Sequence, residues 1–219
     1  MRVKTLLAAL LLASVAGRAD LVIVQHVEGS GQSGDQTIKI KGDKARTDLA
    51  QQLSMITDGA TGNVVTLMHS QKTFLKVSAE QTKAMMEQMR KLRPAGDPPK
   101  LVATGKTEKI GAFDCELYTT NFGGVAVTYW IAKGFPNYPA ILAQMEKLQA
   151  GSISAMSKGM MPELKDFPGM QMKTEMELGG KKVITVLVSA TEENIDPAVF
   201  EIPKDYKEAS AAGLDFQKR

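Results

Sequence analysis

Most of the chain alternates apolar and polar residues with period two, which is the mark of strands with one dry face and one wet face. Residues 21 to 28 read as an apolar strand. In Thr37-Ile38-Lys39-Ile40-Lys41 the isoleucines share one face and the lysines the other. Leu53 to Asp58 and Asn63 to His69 flank Gly59-Ala60-Thr61-Gly62, a turn-like stretch that predicts a hairpin, and Thr73 to Val77 follows. A second block runs through Leu101 to Lys109, Phe113 to Asn121 and Val125 to Ala132, with turns near Gly111 and Gly123-Gly124. In the last block Met170, Met172, Thr174, Met176 and Leu178 are expected on one face, with Gln171, Lys173, Glu175 and Glu177 on the other. Gly179-Gly180, a favoured two-residue hairpin loop, turns the chain into Lys181 to Ala190.

Two segments change period. Ser78 and Gln81 have the spacing of a capping box and open a helix to about Leu92, with Met85, Met89 and Leu92 on one stripe. Pro94, Pro98 and Pro99 end it. A second helix begins at Asn137, carries Pro139 in its first turn and shows Ile141, Met145 and Leu148 on one face, with Gly151 closing it. Residues 151 to 169 read as an irregular loop, and the tail from Glu208 as polar and frayed. Hairpin-joined strands interrupted by helices predict an α+β fold: one antiparallel sheet, with helices on one face, in a single domain over residues 20–207. A sheet of that many twisted strands is expected to curl.

The first 19 residues are expected to be a secretory signal. Arg2 and Lys4 precede an apolar run from Leu6 to Ala13, then the small residues Ser14, Ala16, Gly17 and Ala19. That run falls short of the ~20 residues that span a bilayer, so cleavage is expected, after Ala19 or Ala16. No cysteine lies near either site, so a lipid anchor is not expected. The whole chain has 27 basic and 24 acidic residues. Cutting after Ala19 removes Arg2, Lys4 and Arg18 and leaves 24 of each sign. A neutral mature chain lacks the basic surplus that nucleic-acid binding needs. A soluble periplasmic or secreted protein with no transmembrane segment is expected.

Chemistry is sparse. Gly29-Ser30-Gly31-Gln32-Ser33-Gly34 matches GxGxxG, but a strand follows it where a dinucleotide site needs a helix N-terminus. Gly105-Lys106-Thr107 lacks the upstream glycine of a P-loop. His26 and His69, the two histidines, have no neighbouring carboxylate or second histidine at ligand spacing. Cys115 alternates with Phe113 and Leu117 on an apolar face and is expected to be buried and inert. No catalytic residue, metal site or cofactor is predicted, and the chain is read as a non-enzyme. Methionine is in excess, 13 in all, seven of them between 145 and 176. Three readings fit: core filling, an adaptable apolar groove, and thioether ligands for Cu(I). Trp130 and Tyr138 flank Lys133-Gly134-Phe135-Pro136, either a pocket rim or simple turn packing. On the groove reading, Met85, Met89, Trp130, Met145, Met170, Met172 and Met176 are the candidate lining.

Three segments carry a resemblance: Lys72-Thr73-Phe74-Leu75, Gly111-Ala112-Phe113-Asp114-Cys115-Glu116-Leu117-Tyr118 and Phe200-Glu201-Ile202-Pro203-Lys204-Asp205-Tyr206. In this order behind a signal peptide, over roughly Asp20 to Lys207, they resemble an uncharacterised family of exported bacterial proteins, a domain of unknown function. That family looks related to the periplasmic lipoprotein carriers and their outer-membrane receptors. The resemblance implies a strongly curved antiparallel half-barrel whose helices close the concave side over an apolar cavity. It also implies an apolar partner: a small molecule, a lipid or a lipoprotein. The alternative is an envelope interaction module with a packed core and no ligand.

Overall fold

A computed structural model describes residues 20–29, 32–91, 99–122, 124–149 and 162–209. The expected leader, residues 92–98, the loop at 150–161 and the tail from 210 lie outside the described residues, as do the side chains of Met85 and Met89.

Among the described residues twelve strands form one large, curved, open sheet. The first six are β1 (Asp20–Gly29), β2 (Gln32–Lys41), β3 (Lys44–Leu49), β4 (Leu53–Asp58), β5 (Val64–Met68) and β6 (Thr73–Val77). Helix α1 (Ala79–Lys91) precedes β7 (Val102–Ile110), β8 (Phe113–Phe122) and β9 (Val125–Ala132). Helix α2 (Tyr138–Gln149), β10 (Met170–Leu178), β11 (Lys181–Glu193) and the two-residue β12 (Lys207–Glu208) complete the order. Two meanders grow in opposite directions, β1 to β6 outward and β7 to β11 inward, and join where β1 pairs antiparallel with β11.

The local signals act as expected. Ser78 N–H donates to Gln81 Oε1 (2.9 Å) and Gln81 N–H to Ser78 Oγ (3.2 Å), a closed capping box. Gly179 and Gly180 both take positive φ, 58° and 75°, which a tight hairpin turn with the sheet's own twist requires. Gly29 is needed for a different reason. A Cβ there would lie 2.5 Å from the Lys182 carbonyl oxygen, so the centre of the sheet closes only over hydrogen.

Three features depart from the sequence reading. β3 carries Lys44, Arg46 and Asp48 on one face, and so lacks the apolar alternation that reveals a strand. β12 lies parallel to β6 and carries Glu208 into the sheet, one residue past the expected domain end. The third departure concerns β10. Relative to β9 its register shifts between Gln171 and Lys173: Met170 is level with Ala132, Lys173 with Trp130 and Met176 with Val127. Met172 is therefore the extra residue of a β-bulge, which resets the alternation. Met170 and Met172 join Trp130 and Ala132 in one buried cluster, whereas Met176 packs with Val127, Tyr129 and Ile131 in another. The expected single methionine face is split.

Among the described residues three apolar clusters are packed. The largest gathers Leu21, Ile23, Ile40, Cys115, Trp130, Met170, Met172 and Leu187, and α2 lays Tyr138, Ile141 and Met145 on it. The second, around Val22, Ile56, Leu67 and Phe74, is covered by the segment after β11 through Ile195, Val199, Phe200, Ile202 and Tyr206. The third is centred on Tyr129 and Phe167. The open edge, β7, is exposed along almost all of its length. Irregular register from Ala103 to Thr107, together with Lys106 and Lys109, blunts it against pairing.

Candidate functional site

A cleft of about 410 Å³ lies between the start of α2 and the centre of the sheet. Phe135, Pro136 and Ile141 form one wall; Leu21, Phe113, Met172 and Leu187 are among the residues opposite. Its size falls in the range of small-molecule sites, about 300–1,000 Å³. Two irregularities shape it. On β11 the register against β1 jumps from Val24–Ser189 to Gln25–Leu187, which leaves Val188 as an extra residue. Met172 and Val188, the extra residues of neighbouring strands, both line the cleft. Val188 is 61% exposed, a large apolar side chain that regular pairing would not present there. Bulges re-aim side chains, and here two of them work on one hollow.

The helical wall is held by polar contacts. Asn137, in the left-handed region at φ 55°, accepts N–H bonds from Ala140 (2.9 Å) and Ile141 (3.1 Å) at its carbonyl. Tyr138 Oη donates to the Phe167 carbonyl (3.1 Å), and burial pushes its ionisation up. Phe113 and Phe135 rings meet at 5.1 Å, which fixes the rim loop on β8.

Of the expected lining, Met172 borders the cleft. Trp130 does not: it is buried, donates from Nε1 to Glu108 (2.7 Å) and carries the Lys173 ammonium 4.0 Å above its ring. Met170 is core, Met145 packs half-buried from α2 against the first cluster, and Met176 sits in the third cluster. Alternation alone missed Leu187 and Val188, because the bulges break it. Phe135 and Pro136, weighed as rim or turn packing, line the cleft.

Two polar constellations lie elsewhere. His26 Nδ1 is 2.7 Å from Asp35 Oδ1, and Ser33 Oγ is 3.2 Å from His26 Nε2. The hairpin register supplies what linear spacing did not, since His26 pairs directly with Asp35. The arrangement has the atoms of a Ser-His-Asp triad. A second hollow of about 290 Å³ touches Ser33 and Asp35, but Val27, Gln36 and Leu49 line it from the opposite strand face. The Ser33–His26 pair itself is exposed to solvent.

The other constellation is structural. Ser54, 0% exposed, donates to Asp48 Oδ1 (2.6 Å) and accepts from Arg46 Nη2 (2.9 Å). Its second lone pair takes the N–H of His69 Nε2 (2.7 Å), so His69 Nδ1 accepts from the Tyr206 hydroxyl (2.6 Å). Arg46 also donates to the Val199 carbonyl (2.9 Å). Burial pushes Asp48 up, but hydrogen bonds from Ser54, Arg46 and Lys39 outweigh it and hold the carboxyl below its usual value. The network ties the segment after β11 to the sheet. Among the described residues no group of three or more His, Cys, Asp or Glu could hold a metal, and no helix is long and apolar enough to cross a membrane.

The sequence matches a family model, the domain of unknown function DUF4412, over residues 17–206. The chain belongs to the DUF4412 family. No curated protein matches it. Among solved structures it is similar to PNGF-II, at 12% identity and a TM-score of 0.44, covering 89% of this chain and 31% of that one. The chain thus spans about a third of that protein. It is also similar to the Mycobacterium tuberculosis lipoprotein LppX, at 10% identity and a TM-score of 0.38, covering 80% of this chain and 88% of that one. A putative outer membrane lipoprotein-sorting protein domain from Vibrio parahaemolyticus is similar at 9% identity and a TM-score of 0.33, with 85% and 91% covered. At these scores the likenesses decide nothing about ligand or activity.

Proposed function

We propose that this DUF4412 chain is an exported, soluble, non-enzymatic protein of the cell envelope that shelters an apolar ligand in the cleft beneath α2. The observation that carries this reading is the pair of bulges at Met172 and Val188. They open an apolar hollow in the middle of the sheet, bordered by Leu21, Met172 and Leu187 of the largest packed cluster. In this reading α2 and its rim loop form the cover over the sheet, and the cargo is a lipid or the lipid of a lipidated protein.

The test is organic extraction of the purified native protein with mass spectrometry, alongside titration with a fluorescent naphthylamine probe. Extractable lipid and saturable probe binding are expected. Val188→Trp, at an exposed position, should fill the mouth and abolish binding with Tm unchanged. An empty extract together with probe binding indifferent to Val188→Trp would sink the reading. The absence of catalysis is tested at the exposed triad: ester hydrolysis above background that Ser33→Ala removes would replace a carrier with a hydrolase.

A further inference from the structure

Among the described residues thirteen line the cleft, and one of them, Glu192, is charged. It stands opposite Leu21 in the β1–β11 ladder, so its carboxylate shares the mouth with that apolar wall. Among the described residues Glu192 has no ion-pair partner. The base of the rim loop itself, Lys133, is engaged by Glu116 at 2.8 Å. The other polar lining residues, Asn137, Ser189 and Thr191, are neutral, and the Thr191 hydroxyl donates to Glu193 (2.8 Å). Among the described residues the hollow is therefore apolar within and carries one anionic group at its edge. At about 410 Å³ it suits one hydrocarbon chain.

We propose that the cleft takes a single-chain amphiphile with an ammonium head, selected over anionic heads by Glu192. The inference rests on the apolar-ligand reading above and adds a chemical class to it. The carboxylate attracts a cation seated at the mouth and repels a carboxylate or phosphate in the same place. At an exposed position each effect amounts to a few-fold in affinity, so the two together separate the heads by about tenfold.

The experiment displaces the naphthylamine probe from the full mature chain with dodecylamine, dodecanol and dodecanoate, all below micelle formation and at low salt. The order expected is amine tightest, alcohol intermediate and acid weakest, with about tenfold between the extremes. Glu192→Gln should draw amine and acid toward the alcohol, and Glu192→Lys should reverse them, with the alcohol unchanged in all three proteins. Raising the salt should shrink the amine–acid ratio. Equal binding of the three, tighter binding of the acid, or a ratio that ignores Glu192→Lys overturns the ammonium assignment while leaving the apolar cleft standing. Failure of all three to displace the probe overturns both.

Discussion

At the scale of single residues, burial decides what each reactive group can do. Cys115 is fully buried beside Ala132 and Trp130, and burial pushes its thiol up. A thiol held protonated and out of solvent does not react. It should resist Ellman's reagent in the native protein and react stoichiometrically in guanidinium; fast native labelling would show that the cluster opens. Asp48 is the opposite case, a carboxylate kept charged by its donors. Because its folded value lies below the ordinary 3.8, its stabilisation is present above that value and lost as the pH falls through the folded one. Asp48→Ala strands Ser54 and Arg46 and should cost about 1–3 kcal/mol in urea unfolding at neutral pH. The variant should also lose part of the wild type's acid sensitivity.

At the scale of elements, the decisive positions are those where two backbones meet closely or a strand loses register. A Cβ on Gly169 would fall 2.4 Å from the Ala132 carbonyl oxygen, just before β10 starts against β9. Gly169→Ala must push that start away, at a cost of about 1–3 kcal/mol and a Tm lowered by several degrees in calorimetry. Since Met170 and Met172 follow at once, the shift should also weaken probe binding in the cleft. An unchanged Tm would mean that β10 has more slack than the geometry gives it. Strand type was readable here from Thr73 to Val77, from Val125 to Ala132 and from Met170 to Leu178, where alternation and turn chemistry agree. β3 was not, because its inward polar face serves the Asp48 network rather than an apolar core.

At the scale of the whole molecule, the second cluster depends on the segment after β11. Ile195 and Phe200 cover Val22, Ile56 and Leu67, and Lys41 fastens the crossing by donating to Asp20 (2.6 Å) and to the Ile195 carbonyl (2.9 Å). Each large apolar side chain returned to water costs about 1.5–3 kcal/mol, against a net stability of about 5–15 kcal/mol for a domain. Ending the chain after Glu193 should therefore give a protein that binds anilinonaphthalene sulfonate and unfolds without a sharp transition. A cooperative truncated protein would make the segment an accessory instead of part of the fold.

The sequence by itself determined the strand-rich class, most strand and turn positions, the capped start of α1, the buried Cys115 and the family resemblance. All of these rest on local periodicity or short spacing, which neighbours along the chain express without help. Only the tertiary structure decided the cleft and its lining. The reason is that a bulge is a relation between two strands: one extra residue at Met172, seen against β9, turns Met176 to the other side, and one at Val188, seen against β1, exposes a valine. The same holds for His26 with Asp35, which the hairpin register sets opposite each other, and for His69 with Tyr206, far apart in sequence and brought within hydrogen-bond distance by folding.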